Sequence, residues 1–151
     1  MIIGIDSGIT GAISIMQDNG ALFDCFDMPV LHDGKRRLID TNTIKGFIRT
    51  AKAVIIEKAQ SMPGNGGVAM FNYGMSYGVI LGLCEGLNVP VHPVHPATWK
   101  KVMLKDMPKG KDSSIIKASQ LYPTLKFTRK KDHGMAEATL LALYGIKYIL
   151  R

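Results

Sequence analysis

Four acidic residues stand at positions where chemistry is usually built. Asp6 ends the first apolar strand, Glu57 ends a later one, and Asp132 and Glu137 open the last helical segment. A carboxylate at the end of a buried strand is costly to desolvate unless a cation or hydrogen-bond donors meet it. Carboxylate oxygens are favoured ligands of Mg²⁺ and Mn²⁺, and two such ions about 4 Å apart can activate water and stabilise the leaving oxygen of a phosphodiester. The four residues therefore predict a metal site for phosphodiester cleavage, if the fold brings them together.

A plainer role exists for Asp6, because Asp-x-Gly is a common turn composition and its carboxylate could simply cap the turn. A serine or cysteine nucleophile is not indicated, since the sequence contains neither a Gly-x-Ser-x-Gly segment nor a recognisable Cys/His pair. The choice between a turn and a metal site therefore rests on the other three carboxylates.

The geometry of the last helix constrains which of its side chains can share that site. At 100° per residue, His133 and Glu137 lie on one face, whereas Asp132 joins them only at the helix entry with non-helical dihedral angles. We therefore expect Asp132 at the N-terminal cap. His133 is open to three roles, as a metal ligand, a proton shuttle or a residue that orients a ligand. The alternative is a solvated histidine at a helix start.

The chain is basic, with 19 lysine and arginine residues against 12 acidic ones and a formal net charge of +7. This balance favours a polyanionic partner over a small neutral molecule. The basic residues cluster in connecting segments, where they fit contacts with a phosphate backbone, although any one cluster could instead be a solvated surface. The clusters are Lys35–Arg37, Lys100 with Lys101, Lys105 with Lys109 and Lys111, and Arg129–Lys131.

Strand-like and helical segments are interspersed along the chain, which predicts a single α/β domain over residues 1–151. Asn19–Gly20 predicts a hairpin turn, and the polar stretch between Pro29 and Arg37 predicts a turn that leads to a helix capped by Asp40 or Thr41. The strand-like runs cover residues 1–6, 11–17, 21–28, 53–56 and 89–94, and helices are expected to begin near residues 41, 67, 96, 112 and 132.

The segment between Lys58 and Glu85 contains no charged residue and has helical spacing from about residue 67. Its glycines form one smooth stripe that another backbone can approach, at positions 74, 78, 82 and 86. A membrane-spanning helix is one interpretation. We favour a helix packed on a sheet, or on its twin in a dimer, because the polar residues and glycines make this segment a poor bilayer span.

The two cysteines, Cys25 and Cys84, lie in a strand-like and a helix-like run, which suits reduced thiols in the core better than a disulfide framework. The chain enters a strand at once, without a basic and apolar leader. These features predict a cytoplasmic protein with no targeting signal.

Four motifs follow one another in an order that resembles RuvC-type Holliday-junction resolvases, in particular the phage-encoded and plastid-type branches. They are Ile-Gly-Ile-Asp-Ser-Gly at 3–8, Val-Ile-Ile-Glu-Lys-Ala-Gln-Ser-Met-Pro at 54–63, Pro-Ala-Thr-Trp-Lys-Lys at 96–101 and Lys-Asp-His-Gly-Met-Ala-Glu-Ala at 131–138. The resemblance implies an RNase H-like fold, with a mixed five-stranded sheet flanked by helices. It also implies a homodimer that nicks paired strands at four-way DNA junctions, in the cytoplasm of a bacterial or phage-infected cell.

The same resemblance implies roles for individual residues. Asp6, Glu57, Asp132 and Glu137 match the metal-binding carboxylates, which would hold Mg²⁺ or Mn²⁺, with two ions per site. The last motif departs from the family pattern, so the fourth site residue is either Asp132 or His133. Met62 is the candidate for a residue that wedges into the junction, and the helix with Gly74, Gly78 and Gly82 is the candidate dimer contact. DNA contacts are expected at Lys100, Lys101, Lys109, Lys111, Arg129, Lys130 and Lys131, and Lys101 and Lys111 are expected near the scissile phosphate.

Three other functions remain open at this point. A nuclease of the same fold could cut RNA–DNA hybrids, flaps or structured RNA, which a comparison of substrates would reveal. An actin-like ATPase fragment is a second alternative, because the segment at 6–10 also resembles the first phosphate loop of those proteins; two such domains clasp one nucleotide, however, and only one is predicted here. A catalytically inactive junction-binding protein is the third, and the retained carboxylates argue against it.

Overall fold

The computed structural model describes residues 1–61 and 63–151. Within them the strands are β1 (Ile2–Asp6), β2 (Ala12–Met16), β3 (Leu22–Asp27), β4 (Val30–Asp33), β5 (Arg36–Ile39), β6 (Ala53–Glu57) and β7 (Val91–Val94). The helices are α1 (Thr41–Ile48), α2 (Gly67–Gly86), α3 (Pro96–Met103), α4 (Ser113–Leu121) and α5 (His133–Tyr148), and a short 3₁₀ helix (Lys130–Asp132) precedes α5.

The main sheet has five strands in the order β3-β2-β1-β6-β7. Strands β1, β2 and β3 pair antiparallel, whereas β1 pairs parallel with β6 and β6 pairs parallel with β7. The predicted mixed sheet is therefore confirmed. Helices cover both faces of the central strands, which explains why β1 and β6 consist almost entirely of apolar residues.

Side-chain alternation assigns the two faces of β1 and β6 to different cores. Ile3 and Ile5 face the core beneath α1 and α2, whereas Ile2 faces the core beneath α5 and α3. Because successive residues of a strand point to opposite faces, Asp6 lies on the same face as Ile2, toward α5. The same rule directs Glu57 to the face of Ala53 and Ile55.

Helix α5 lies unusually close to β1 because Gly4 carries no side chain. A Cβ atom at Gly4 would lie 2.1 Å from the carbonyl oxygen of Ala138 and 2.9 Å from the Cβ of Ala142. A larger residue at either contact would lift the helix from the sheet. This close approach sets the height of α5 above the end of β1, where Asp6 stands.

The stretch between Pro29 and Asp40, predicted as a turn, forms a second, two-stranded sheet of β4 and β5. Gly34 has a φ of +59° in its connecting turn, a conformation that favours glycine. Val30 pairs with Ile39, and both pack against the core beneath α1 and α2. That burial explains why a polar stretch becomes a hairpin. Asp40 caps α1 as predicted, since its carboxylate accepts a hydrogen bond from the Thr43 backbone N–H at 3.1 Å.

Helix α2 buries a narrow stripe and leaves its outer face open. Ser76, Ile80 and Cys84 are its buried residues, whereas a Cβ atom placed at Gly74 or Gly78 would meet nothing within 4 Å. By length and composition alone, α2 could cross a membrane, and a single helix of this kind is weak support for such a role. The open face instead fits an interface with another polypeptide.

Candidate active site

Asp6 and Glu57 end neighbouring parallel strands and point to the same face of the sheet. Ile5 of β1 pairs with Ile56 of β6, so each carboxylate follows one member of a registered pair. Adjacent strands lie about 4.8 Å apart, which places the two acidic side chains side by side. Two residues that are 51 positions apart in the sequence thus meet because a parallel register aligns the ends of their strands.

The first turn of α5 lies directly against the carboxylate of Asp6. A Cβ atom at Gly134 would stand 3.2 Å from Oδ2 of Asp6 and 3.1 Å from Cα of Gly11. The N-terminus of a helix carries a partial positive charge, which stabilises a carboxylate placed there. Gly134 therefore permits the approach that also brings Glu137, less than one turn later on α5, toward the ends of β1 and β6.

A buried tryptophan orients Glu57. Trp99, on α3, is fully buried, and its Nε1–H donates a hydrogen bond of 2.7 Å to Oε2 of Glu57. Burial raises the pKa of Glu57 above its ordinary value, and the nearby Lys100 ammonium opposes that shift. The indole supplies one fixed donor to one carboxylate oxygen, which limits the rotation of the Glu57 side chain.

An ammonium group lies among the carboxylates. Nζ of Lys100 is 2.7 Å from Oε1 of Glu137 and 3.9 Å from Oε2 of Glu57. Although burial opposes it, the negative charge of Glu137, followed by those of Glu57 and Asp6, raises the pKa of Lys100. Ser114 Oγ donates a further hydrogen bond of 3.2 Å to Oε1 of Glu137. Lys100 thus compensates part of the negative charge of the cluster.

The surroundings of Asp6 disfavour its charged form. Burial, together with the negative charges of Glu137 and Glu57, raises the pKa of Asp6 to about 7. Within residues 1–61 and 63–151, no three acidic, histidine or cysteine side chains stand close enough together to form a preformed metal cluster. The donor set nevertheless fits a hard divalent cation, because it consists of carboxylate oxygens that are mutually repelling and only partly neutralised.

The structure does not bring Asp132 to this cluster, and its role as a metal ligand and catalytic residue stays a prediction. Its Oδ2 accepts hydrogen bonds from the backbone N–H groups of Thr128 at 2.8 Å and Arg129 at 2.7 Å, and its Oδ1 accepts one from Nε of Arg129 at 2.7 Å. Burial alone would raise the pKa of Asp132, but these hydrogen bonds outweigh it and the pKa is lowered. Asp132 precedes α5, as expected, and anchors the loop before it.

His133 lies beside Glu137, as the helical spacing predicts. The two residues line a cleft of about 270 Å³ together with Lys100, Lys111 and Ser114. Nε2 of His133 is 3.5 Å from Oδ1 of Asp112, an exposed residue at the start of α4. Of the two candidates for the fourth site residue, the structure brings His133 to the cleft and holds Asp132 elsewhere.

The lysines of α3 and the following loop divide between two surfaces. Lys100 lies in the cluster and Lys111 lines the same cleft. Lys101, in contrast, lines a separate hollow with Lys105 and Tyr148. The structure therefore brings Lys100, and not Lys101, to the carboxylates, and the approach of Lys101 to a phosphate stays a prediction. Lys109 is exposed in the loop before α4.

Two of the three basic residues before α5 are already paired with acidic side chains. Arg129 donates to both carboxylate oxygens of Asp27 at 2.9 Å and also contacts Asp132, and Lys131 contacts Asp27. These contacts join the loop to the end of β3. Lys130 is exposed. Met62, the predicted wedge residue, lies outside the described residues.

Three site residues escaped the sequence analysis. Trp99 and Ser114 donate hydrogen bonds to Glu57 and Glu137. Tyr73, on α2, has a pKa of about 12, raised by burial and then by the negative charges of Glu57 and Asp6. Trp99 could have been suspected from its position next to Lys100 in a motif, whereas nothing in the sequence singles out Tyr73 or Ser114.

Comparisons with known proteins give relatives in sequence and in structure. No protein-family model matches the chain. A curated relative, the chloroplastic Holliday junction resolvase MOC1 of Chlamydomonas reinhardtii, is 32% identical over 93 residues. The match covers 60% of this chain and 10% of that relative, so the chain spans only a small part of the relative's length.

Solved structures of RuvC match almost the whole chain. A Thermus thermophilus RuvC in complex with a Holliday junction substrate superposes with a TM-score of 0.64 at 19% identity, covering 94% of this chain and 90% of that one. The chain has the RuvC fold. A second Thermus thermophilus RuvC structure matches with a TM-score of 0.59 at 21% identity and the same coverage. The predicted RNase H-like architecture and the resemblance to RuvC-type resolvases are both confirmed.

One prediction about this RuvC-fold protein is overturned by the comparisons. The sequence analysis predicted the cytoplasm of a bacterial or phage-infected cell, whereas the curated relative is a chloroplastic protein. The signals used for that prediction were two unpaired cysteines and the strand at the start of the chain. Reduced thiols are compatible with several compartments, so they do not specify one.

Proposed function

We propose that this RuvC-fold protein is a structure-selective endonuclease that resolves four-way DNA junctions as a homodimer. The observation that carries the proposal is the convergence of Asp6, Glu57 and Glu137 on one face at the end of the sheet. The sequence relative is named a Holliday junction resolvase, and the RuvC match was solved with a junction substrate, which supports the same activity here.

We assign the metal-binding role to the three carboxylates, with His133 as the fourth site residue. The residues would hold two Mg²⁺ or Mn²⁺ ions, which supply Lewis-acid stabilisation of the phosphate and a water of lowered pKa. Trp99 keeps Glu57 oriented toward the cluster. Lys100 and Lys111 line the cleft beside Glu137, where their positive charge can stabilise a phosphate.

The homodimer would form through the outer face of α2. Gly74, Gly78 and Gly82 leave this face without projecting side chains. Two copies related by a twofold axis can pack along such a stripe, since an isologous interface uses the same patch twice. The two active sites would then stand at a fixed separation, which selects DNA whose branches match that distance.

A cleavage assay on synthetic four-way junctions tests the proposal. With Mg²⁺, the wild-type protein is expected to give paired nicks in opposed strands, and Asp6→Asn, which removes a carboxylate without changing its shape, is expected to give none. RNA–DNA hybrids and flaps serve as competing substrates in the same assay. Preferred cleavage of a hybrid would support the alternative nuclease, and equal nicking by the two proteins would contradict the assigned site.

A further inference from the structure

A groove leads away from the candidate active site between the small hairpin and α2. Two cavities, of about 330 and 450 Å³, share Ile9, Arg37 and Asn72 in their walls and therefore lie side by side. The first cavity begins at Gly8, two residues after Asp6. We call this channel the hairpin groove, and its walls are β4–β5, the β1–β2 turn and the N-terminal half of α2.

The hairpin groove combines a cationic rim with an apolar floor. The rim is the exposed segment Lys35–Arg37, and among the described residues neither cavity is lined by an acidic side chain. The floor is formed by apolar residues that are unusually exposed to solvent: Phe71 is 71% exposed and Val68 is 77% exposed. Ile9, Leu38 and Met75 complete it.

This chemistry selects an unpaired nucleic-acid strand as the occupant. Arginine and lysine side chains bind successive phosphates, and an exposed aromatic ring offers a stacking surface that accepts any base. A cavity of about 450 Å³ lies within the range that encloses a small organic group, which suits a nucleotide and is far too narrow for a duplex. An acidic peptide would satisfy the rim but would leave the apolar floor unused.

We propose that the hairpin groove binds unpaired nucleotides, with Phe71 stacking on a base and Arg36 and Arg37 contacting phosphates. The inference rests on the proposed function, because a branch point in DNA is where a strand leaves its duplex next to the scissile bond. Gly8, two residues after Asp6, lines the groove, so a strand held there would lie near the end of β1. The groove thus adds a second contact that distinguishes branched from linear duplex DNA.

The test uses two groove variants of the full chain, Phe71→Ala and the double variant Arg36→Ala/Arg37→Ala. Each has a matched control away from the groove, namely Phe23→Ala for the exposed ring and Lys45→Ala/Arg49→Ala on α1 for the exposed charges. Binding of a fluorescein-labelled oligo-dT strand and of a four-way junction is followed by anisotropy in EDTA, and the oligomeric state is followed by light scattering.

Phe71→Ala is expected to weaken oligo-dT binding by about tenfold, the usual effect of removing one stacked base contact. The double arginine variant is expected to reduce the slope of log affinity against log salt by about 1.4, the value for two phosphate contacts on a single strand. The controls should bind as the wild type does. Unchanged oligo-dT affinity and salt slope in both groove variants would overturn the inference.

Two further outcomes separate this inference from its alternatives. If Phe71→Ala turns a dimer into a monomer and leaves oligo-dT affinity unchanged, a second copy of the chain covers the groove and the inference is wrong. Junction cleavage by the wild type tests the proposed function separately. Groove-dependent oligo-dT binding without any junction cleavage would support the groove inference and contradict the proposed resolvase activity. Junction cleavage without groove-dependent oligo-dT binding would support the resolvase activity and contradict the groove inference.

Discussion

At the scale of single residues, the most informative contact is the hydrogen bond from Trp99 to Glu57. It satisfies one oxygen of a buried carboxylate, and removing a donor from such a group leaves its desolvation cost uncompensated. Trp99→Phe should therefore lower the free energy of unfolding by about 1–3 kcal/mol, measured by urea denaturation, and should also weaken Mn²⁺ binding measured by calorimetry.

The smaller ring of Trp99→Phe also leaves a cavity, so a second background is needed. In Glu57→Gln the hydrogen-bond partner of Trp99 is neutral. Trp99→Phe should therefore lower the free energy of unfolding less in that background than in the wild type, and the difference measures the contribution of the charged hydrogen bond. An identical cost in the two backgrounds would mean that Trp99 acts only by filling space.

Asp132 and His133 are neighbours with opposite expected phenotypes. The hydrogen bonds from Arg129 and Thr128 lower the pKa of Asp132 below its value in the unfolded chain. Its stabilising effect is therefore present above about pH 4 and is lost as the pH falls through the folded-state pKa. Asp132→Asn should unfold more easily than the wild type at pH 7, with the difference shrinking in acid, and should bind Mn²⁺ normally.

His133→Asn should show the converse, with near wild-type stability and weaker Mn²⁺ binding, because His133 lines the cleft with Glu137 and its contact with Asp112 is exposed to solvent. Calorimetric titration and urea denaturation of the two variants decide between them. Loss of Mn²⁺ binding in Asp132→Asn alone would return Asp132 to the ligand set.

At the scale of elements, the position of α5 against β1 determines whether the site assembles. A Cβ atom at Gly134 would stand 3.1 Å from the backbone of Gly11 and 3.2 Å from Oδ2 of Asp6, so one of the neighbours must move by a few tenths of an ångström. Gly134→Ala should therefore lower the rate of junction cleavage by a larger factor than it lowers the equilibrium constant for folding. Gly46→Ala, in α1, is the matched control.

Nothing lies within 4 Å of a Cβ at Gly46, so the alanine there should raise the stability by up to about 1 kcal/mol through helix propensity and leave cleavage unchanged. Thermal denaturation and the junction assay check both variants. Equal cleavage by Gly134→Ala and the wild type would show that the first turn of α5 tolerates displacement.

The same scale explains what could be predicted from the sequence. Asp6 and Glu57 were found because a carboxylate after an apolar run marks the end of a buried strand, and a parallel register then aligns such ends. The choice between Lys100 and Lys101 could not be made, since neighbouring residues of a helix differ by about 100° and the phase of α3 depends on which side chains pack beneath it.

The hairpin of β4 and β5 and the anchoring of Asp132 were missed for a related reason. The hairpin depends on the burial of Val30 beside Ile39, nine residues later in the chain. The position of Asp132 depends on the backbone N–H groups of Thr128 and Arg129, which only the folded loop directs toward it. Composition reveals neither contact. A polar, turn-rich stretch has the same appearance whether or not its two ends pack into a core.

At the scale of the whole molecule, the proposed dimer contact on the outer face of α2 would decide whether one chain or two act on a substrate. Gly78→Glu places a charge where a Cβ meets nothing in the single chain, so the fold should persist. Light scattering should then give a dimer for the wild type and a monomer for the variant. Cleavage of a junction by the monomer should yield unpaired single nicks.

Gly46→Glu is the control for that experiment, because its Cβ is equally unobstructed on a different helix. It should remain dimeric and should nick in pairs. A dimer that survives Gly78→Glu would place the interface on another surface, and a wild-type monomer would remove the twofold account of branch selection.

The ammonium of Lys100 bears on whether the protein needs a metal ion to fold. Because it already shields Glu137 and Glu57 from one another, the chain carries its own counter-ion for the acids it gathers. Chelators should therefore inactivate the protein without unfolding it, unlike small zinc domains, which fold only when the metal is bound. If the proposed Mg²⁺ sites are correct, newly made chains should fold in a cell starved of magnesium and become active when the ion returns.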